Sequence, residues 1–258
     1  MTDEALLDLA AALAAQAGAV ILSVRAAGFA VTAKADRSPV TAADREAEAL
    51  IVAGLRAATP DIPVIAEEEI AAGIVTAAGR EHWQVDPLDG TKEFAAGLDS
   101  FAVNVGLVRD GRPVLGAVGV PAEGVVYGGI VGPGGEGRAW KQDATGRHAI
   151  HARTPPAAGL TVLASRSHNL SLQVEAALRA LGRPVAQVIH LGSAVKFCRI
   201  AEGAADYYPR FGPTMEWDTA APQAVLEAAG GRIVDETGAP LRYGKPGFEN
   251  PAFFAHGA

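Results

Sequence analysis

The sequence predicts an α/β (α+β) protein, and three observations carry that expectation. Near the start lie two Ala- and Leu-rich stretches with helical periodicity. In the middle, three apolar runs are separated by short glycine-containing turn signals, which indicate an antiparallel meander. Beyond residue 154, strand-like and helix-like segments alternate, as they do in a layered α/β half.

Each element follows from local chemistry. Residues 3–27 contain no proline and a single glycine, and Leu6, Leu9, Leu13 and Ala17 recur at helical steps. Residues 29–34 alternate as a short strand, and 36–39 form a turn. Thr41 is placed to cap a second helix over 42–58, with Ala49, Leu50, Val52 and Leu55 facing inward. Residues 64–66 and 83–85 read as short buried strands that deliver acids at their C-terminal ends. The meander covers 100–109, 112–120 and 125–131. Thr154-Pro155-Pro156 marks a boundary between halves 1–153 and 154–258. After it come strands at 160–165, 186–190, 205–208 and 232–235, with helices at 170–180, 193–202 and 218–229.

Bulk properties narrow the function. At 258 residues, 49% hydrophobic and 20% charged, the chain suits a globular protein with a sizeable core. A net charge of −7 argues against binding a nucleic-acid polymer. No apolar run is expected to cross a membrane, and the first eight residues lack the basic cluster of a secretory signal. The lone Cys198 cannot form an internal disulfide, so a cytoplasmic protein is expected.

The chemistry gathers at Asp86-Pro87-Leu88-Asp89-Gly90-Thr91. A strand ending at Asp86 and a turn set by Pro87 let two carboxylates aim at one place. With the Leu88 carbonyl they form an all-oxygen ligand set of the kind Mg²⁺ prefers. If a helix begins here, the Gly90 and Thr91 amides point outward and suit an anion. Taken alone, the segment also reads as an acidic turn.

Four distant features bear on it. Glu67-Glu68-Glu69 follows the apolar 64–66 run, either as a solvated face or as ligands at a strand end. Asp218, in Glu216-Trp217-Asp218-Thr219-Ala220-Ala221, is either a helix cap or a ligand. Residues 34–44 end at Asp44, which reads as part of a capped helix. Ser165, His168, Lys196 and Arg210 sit at element ends, either as surface polar groups or as a grip on phosphate.

Together, Asp44, the glutamates after a strand, Asp-Pro-Leu-Asp-Gly-Thr and Trp-Asp-Thr-Ala-Ala resemble the inositol monophosphatase superfamily of lithium-sensitive, Mg²⁺-dependent phosphatases. The match runs in order from about residue 30 to 235. Lys92-Glu93-Phe94, Ser165-Arg166-Ser167-His168, the 192–198 run and the 208–218 run resemble its CysQ-type 3′(2′),5′-bisphosphate nucleotidase branch.

The resemblance implies a layered αβαβα sandwich and hydrolysis of adenosine 3′,5′-bisphosphate, with its sulfated form PAPS as a related substrate. It also implies two or three Mg²⁺ ions. Glu67, Asp86 and the Leu88 carbonyl would hold the first ion, and Asp86, Asp89 and Asp218 the second. Asp44 and Thr91 would act on the attacking water, with Glu67 beside them. Gly90 and Thr91 would hold the phosphate, and Ser165, His168, Lys196 and Arg210 the rest of a small phosphorylated nucleotide. Family members are monomers or homodimers. An inositol monophosphatase, a broad sugar-phosphate phosphatase and a non-catalytic phosphate-binding protein are the competing readings.

Overall fold

The computed structural model of the protein describes residues 1–33, 39–132, 134–165 and 172–258. The chain begins with helix α1 (Asp3–Ala27), whose Thr2 hydroxyl accepts the Ala5 amide hydrogen. No residue between Asp8 and Arg25 is charged. By length and composition α1 is therefore apolar enough to cross a membrane, contrary to the sequence expectation. In the fold it buries Leu6, Leu7, Ala10, Leu13, Ala14, Ala17 and Ile21 in a core shared with the second helix and the large sheet.

The short strands β1 (Thr32–Ala33) and β2 (Pro39–Val40) pair antiparallel. Of the strand expected over 29–34, the described residues form strand at Thr32–Ala33; residue 34 and the turn expected at 36–39, up to its last residue, lie outside the described residues. Helix α2 (Ala42–Ala58) has the expected Thr41 cap, completed by Asp44 three residues on. Its inward face differs in detail. Ala49 is exposed and Leu50 half-buried, while Ala47 and Ile51 join Val52 and Leu55 in the core.

Next come β3 (Val64–Ala66), the short helix α3 (Glu67–Ala71), β4 (Glu81–Asp89) and the short helix α4 (Thr91–Ala95). The meander follows as β5 (Ala102–Arg109), β6 (Arg112–Val120) and β7 (Val125–Val131), extended by a polar hairpin, β8 (Gly137–Asp143) and β9 (Gly146–Ile150). These strands form a seven-stranded sheet in the order β3-β4-β5-β6-β7-β8-β9, in which only the β3–β4 pair is parallel.

The rest of the chain supplies β10 (Leu160–Ala164), α5 (Leu172–Ala180), β11 (Val185–His190), α6 (Val195–Ala201), β12 (Tyr207–Arg210), α7 (Glu216–Ala228), β13 (Arg232–Asp235) and β14 (Phe253–His256). The second sheet has the order β11-β10-β12-β14-β13. Helices α1 and α2 cover one face of the first sheet. Helix α7 lies against the other face and packs with α6 between the two sheets, and α5 lies against the second sheet. This is the layered αβαβα arrangement. The buried thiol of Cys198 sits in the core between the sheets.

One feature fixes where α7 sits. A Cβ added at Gly106, Gly116 or Gly129 would come within 2.5–2.6 Å of the backbone of Ala221 or Val225. Gly106 pairs with Gly116, and Gly116 pairs with Gly129, so the three form one stripe across β5, β6 and β7. Because the stripe has no side chains, the helix that carries Asp218 rests directly on the sheet backbone.

Candidate active site

Parallel pairing brings the first two acids together. Ala66 is level with Val85, so Glu67, the residue after β3, emerges beside Asp86. Strand β4 does not stop at Asp86, as the sequence suggested. It continues to Asp89 with an irregular register after Asp86, and that irregularity re-aims the second carboxylate. Asp218 arrives from across the sheet on α7. It is the third helical residue rather than the cap, and its Oδ2 accepts the Met215 amide hydrogen at 2.9 Å.

Carboxylate oxygens of Glu67, Asp86 and Asp218 lie within 4.8 Å of one another. Within the glutamate run, Glu69 is taken by a two-bond pair with Arg56. The Glu68 and Glu69 amides donate to the buried Glu48 carboxylate, which closes the start of α3. Asp89 stands next to the trio, and one of its oxygens accepts the Ala194 amide hydrogen at 2.5 Å.

Crowded acids raise one another's proton affinity. Burial, then repulsion from Glu67, Asp89 and Asp218, lifts the Asp86 carboxyl well above the usual range. Burial, then Asp89 and Glu67, does the same to Asp218. Burial lifts Asp89 to about 6, opposed by Lys196 and the Ala194 amide. Such a cluster calls for a compensating positive charge, and its hard oxygen donors fit a divalent cation.

Asp44 and Thr91, expected from the sequence to act on water, are brought together. Thr91 Oγ1 lies 3.1 Å from Asp44 Oδ1 and 3.0 Å from the Leu88 carbonyl oxygen. The other Asp44 oxygen accepts both the Thr41 amide and the Thr41 hydroxyl, each at 2.7 Å. Gly90 precedes α4 at φ +93, where a Cβ would stand 3.1 Å from the Ser100 carbonyl oxygen and 3.2 Å from Ser193 Cβ. Only glycine suits that turn.

Next to the acids, and sharing Asp89 and Asp218 with them, a pocket of about 160 Å³ is also lined by Gly90, Ser165, Lys196 and Arg210, among others. Arg210 is held at three points. It donates to the Ser165 hydroxyl at 2.7 Å and to the carbonyls of Gly212 and Pro213 at 3.1 and 3.0 Å. Lys196 is buried and donates to the Ser193 and Leu191 carbonyls at 2.6 and 3.3 Å, with its ammonium 4.9 Å from the Tyr208 ring centre. Burial lowers its pKa to about 8, against the pull of Asp89. His168 lies outside the described residues.

The structure adds Ser193, Glu93 and Tyr208 to the pocket wall. Ser193 occupies the left-handed region at φ 52, and its signal in the sequence was its place beside Gly192 in the run that leads to Lys196. A Cβ on Gly192 would fall 2.6 Å from Glu93 Cγ, so that glycine makes room for the Glu93 side chain.

The sequence model of the inositol monophosphatase family matches residues 2–255. The chain belongs to the inositol monophosphatase family. Within the family it is 43% identical over 253 residues to the 3′(2′),5′-bisphosphate nucleotidase CysQ of Escherichia coli (strain K12), a match covering 96% of this chain and 98% of that protein. It is 34% identical over 255 residues to the 3′-phosphoadenosine 5′-phosphate phosphatase of Mycobacterium leprae, covering 94% and 84% respectively. Among solved structures, CysQ from Bacteroides thetaiotaomicron superimposes with a TM-score of 0.81 at 33% identity, covering 98% of this chain and 97% of that one.

Proposed function

We propose that this family member is a Mg²⁺-dependent phosphomonoesterase that hydrolyses the 3′-phosphate of adenosine 3′,5′-bisphosphate to AMP and phosphate, with PAPS as a related substrate. The observation that carries the reading is a pairing of opposites. A partly buried carboxylate cluster fit for cations borders a pocket that Asp89 and Asp218 share with Lys196 and Arg210. A monophosphate ester needs one anion grip. A bisphosphate gives the second wall a purpose, because charge-assisted contacts to phosphate are strong. The names of the Escherichia coli and Mycobacterium leprae relatives point the same way.

In this reading Glu67, Asp86 and the Leu88 carbonyl would hold one ion and Asp86, Asp89 and Asp218 a second, with two or three ions in all. Bound Mg²⁺ offsets the charge of the phosphate ester and lowers the proton affinity of water. The chain's own groups do the rest. With the Leu88 carbonyl engaged by an ion, the Thr91 hydroxyl would donate to Asp44 Oδ1, and its oxygen would then accept a hydrogen from the attacking water. Both Thr41 donors lock Asp44 Oδ2 and so aim Oδ1. The Gly90 and Thr91 amides hold the reacting phosphate, while Lys196, Arg210, Ser165 and His168 hold the nucleotide and its second phosphate. Positioning of this kind can account for much of a phosphoryl-transfer rate. The lone buried thiol of Cys198 suits a reducing compartment, and the cytoplasm is the proposed one.

The test compares kcat/KM for phosphate release from adenosine 3′,5′-bisphosphate, PAPS, inositol 1-phosphate and fructose 1,6-bisphosphate. The nucleotide bisphosphate is expected to lead, and Arg210→Ala to reduce its turnover more than that of inositol 1-phosphate. Equal values across the panel, with equal losses in the variant, would support a broad sugar-phosphate phosphatase instead.

A further inference from the structure

Two residues before Asp86 lies Gln84, and two residues before Asp218 lies Glu216. Both are fully buried. Side chains two apart on a strand share a face, so Gln84 points to the same side of β4 as Asp86. Its Nε2 donates to Glu216 Oε2 at 3.0 Å and so joins the strand that carries Asp86 to the helix that carries Asp218.

Glu216 is held from a third direction as well. Its carboxylate accepts the Gly244 amide at 2.7 Å, the Lys245 amide at 2.9 Å and the Lys245 ammonium at 2.7 Å. The segment around these donors grips the first turn of α7. Asn250 Nδ2 donates to the Met215 carbonyl at 2.7 Å and lies 3.0 Å from Thr219 Oγ1, and the Glu216 amide donates to the Phe248 carbonyl at 2.8 Å.

A carboxylate buried next to a cluster of acids adds repulsion to a site that already has too much. Burial of that charge is tolerable only because four donors surround it. What it contributes is geometry. Asp86 and Asp218 repel each other and tend to push β4 and α7 apart, and Glu216 ties the two elements together two residues behind the ligands.

We infer that Glu216, held by Gln84 and by the segment around Lys245, is a positioning residue that fixes the separation of Asp86 and Asp218 and thereby sets how tightly the site holds a divalent cation. The inference rests on the metal-site reading given above. A site held in its binding geometry spends less free energy on rearrangement when the ion arrives.

The experiment titrates Mn²⁺ into the full chain after chelator treatment, follows binding by calorimetry, and records Tm of the same metal-free samples. Gln84→Met is the informative variant. It removes the tie between strand and helix while leaving the three other Glu216 bonds, and the Gln84 Oε1 atom it deletes has no hydrogen-bond partner among the described residues. Its Mn²⁺ Kd is expected to rise about 10–100-fold, with KM for the nucleotide unchanged at saturating Mn²⁺. Lys245→Met, which loosens Glu216 from its outer side, is expected to shift Kd in the same direction. A Gln84→Met Kd within about twofold of the unmodified chain's overturns the inference, whatever Tm does. If Gln84→Met fails to fold, Lys245→Met is held to the same limit. An unmodified chain that takes up no Mn²⁺ overturns the metal-site reading itself.

Discussion

Asp44 accepts three hydrogen bonds from side chain and backbone, and two of them come from Thr41. The same threonine hydroxyl accepts the Ala43 amide hydrogen at 3.1 Å, so one residue both caps α2 and aims the Asp44 carboxylate. Thr41→Val should therefore lower stability by about 1 kcal/mol, the usual worth of a cap. It should also lower kcat by about tenfold with little change in KM, equivalent to ~1.4 kcal/mol of misdirected Asp44. Thermal melts and steady-state phosphate release check the two effects separately.

A different residue governs part of the acid response. Burial, then the nearby Arg232 charge, lowers the His256 imidazole to about 4. Between that value and the usual one near 6.5, the unfolded chain holds a proton that the folded chain lacks. Stability from this source is complete above about 6.5 and is lost as pH falls toward 4. Tm of His256→Gln, measured from pH 7 to 5, should fall less steeply than that of the unmodified chain.

At the scale of elements, α7 rests on the glycine stripe with no room for a side chain between them. Gly116→Ala would place a Cβ 2.5 Å from the Ala221 carbonyl oxygen and 2.6 Å from its Cα, so the helix must lift. A cost of about 1–3 kcal/mol is expected from overpacking. Because Asp218 rides on the same helix, weaker Mg²⁺ activation should accompany the loss. Denaturant melts and a Mg²⁺ titration of activity test both.

The elements also show what a sequence can reveal. Helix 3–27 was legible from periodicity without breakers, helix 42–58 because periodicity and its Thr41 cap agree, and the three central strands because their turns carry clear glycine signals. The hairpin β8–β9 was not, because its strands carry Arg138, Lys141, Gln142, Arg147 and His148 and show little alternation. Strand β14 escaped as well. It inserts between β12 and β13, a pairing set by contacts far apart along the chain. At the site, the acids were legible as a recognisable set of motifs. Gln84, Glu216 and Lys245 were not, because their partnership spans the whole chain at no motif spacing.

For the molecule as a whole, the acidic centre sits where the ends of β3 and β4 meet the start of α7, and a cation is expected to act there as part of the fold. Stripping divalent ions with EDTA should abolish phosphate release and lower Tm, and Mg²⁺ should restore both. Turnover that persists after rigorous stripping would count against the metal reading.

The single thiol offers a use of its own. Cys198 is buried among α6, α7 and both sheets, and burial pushes its thiol far above the ordinary range, so it is unreactive while the chain stays folded. A thiol reagent would then mark only those molecules whose layers have parted. The labelling rate becomes a clock for global opening, with no engineered probe needed, and slowing of that clock by Mg²⁺ would report in real time how far the ion holds the layers shut.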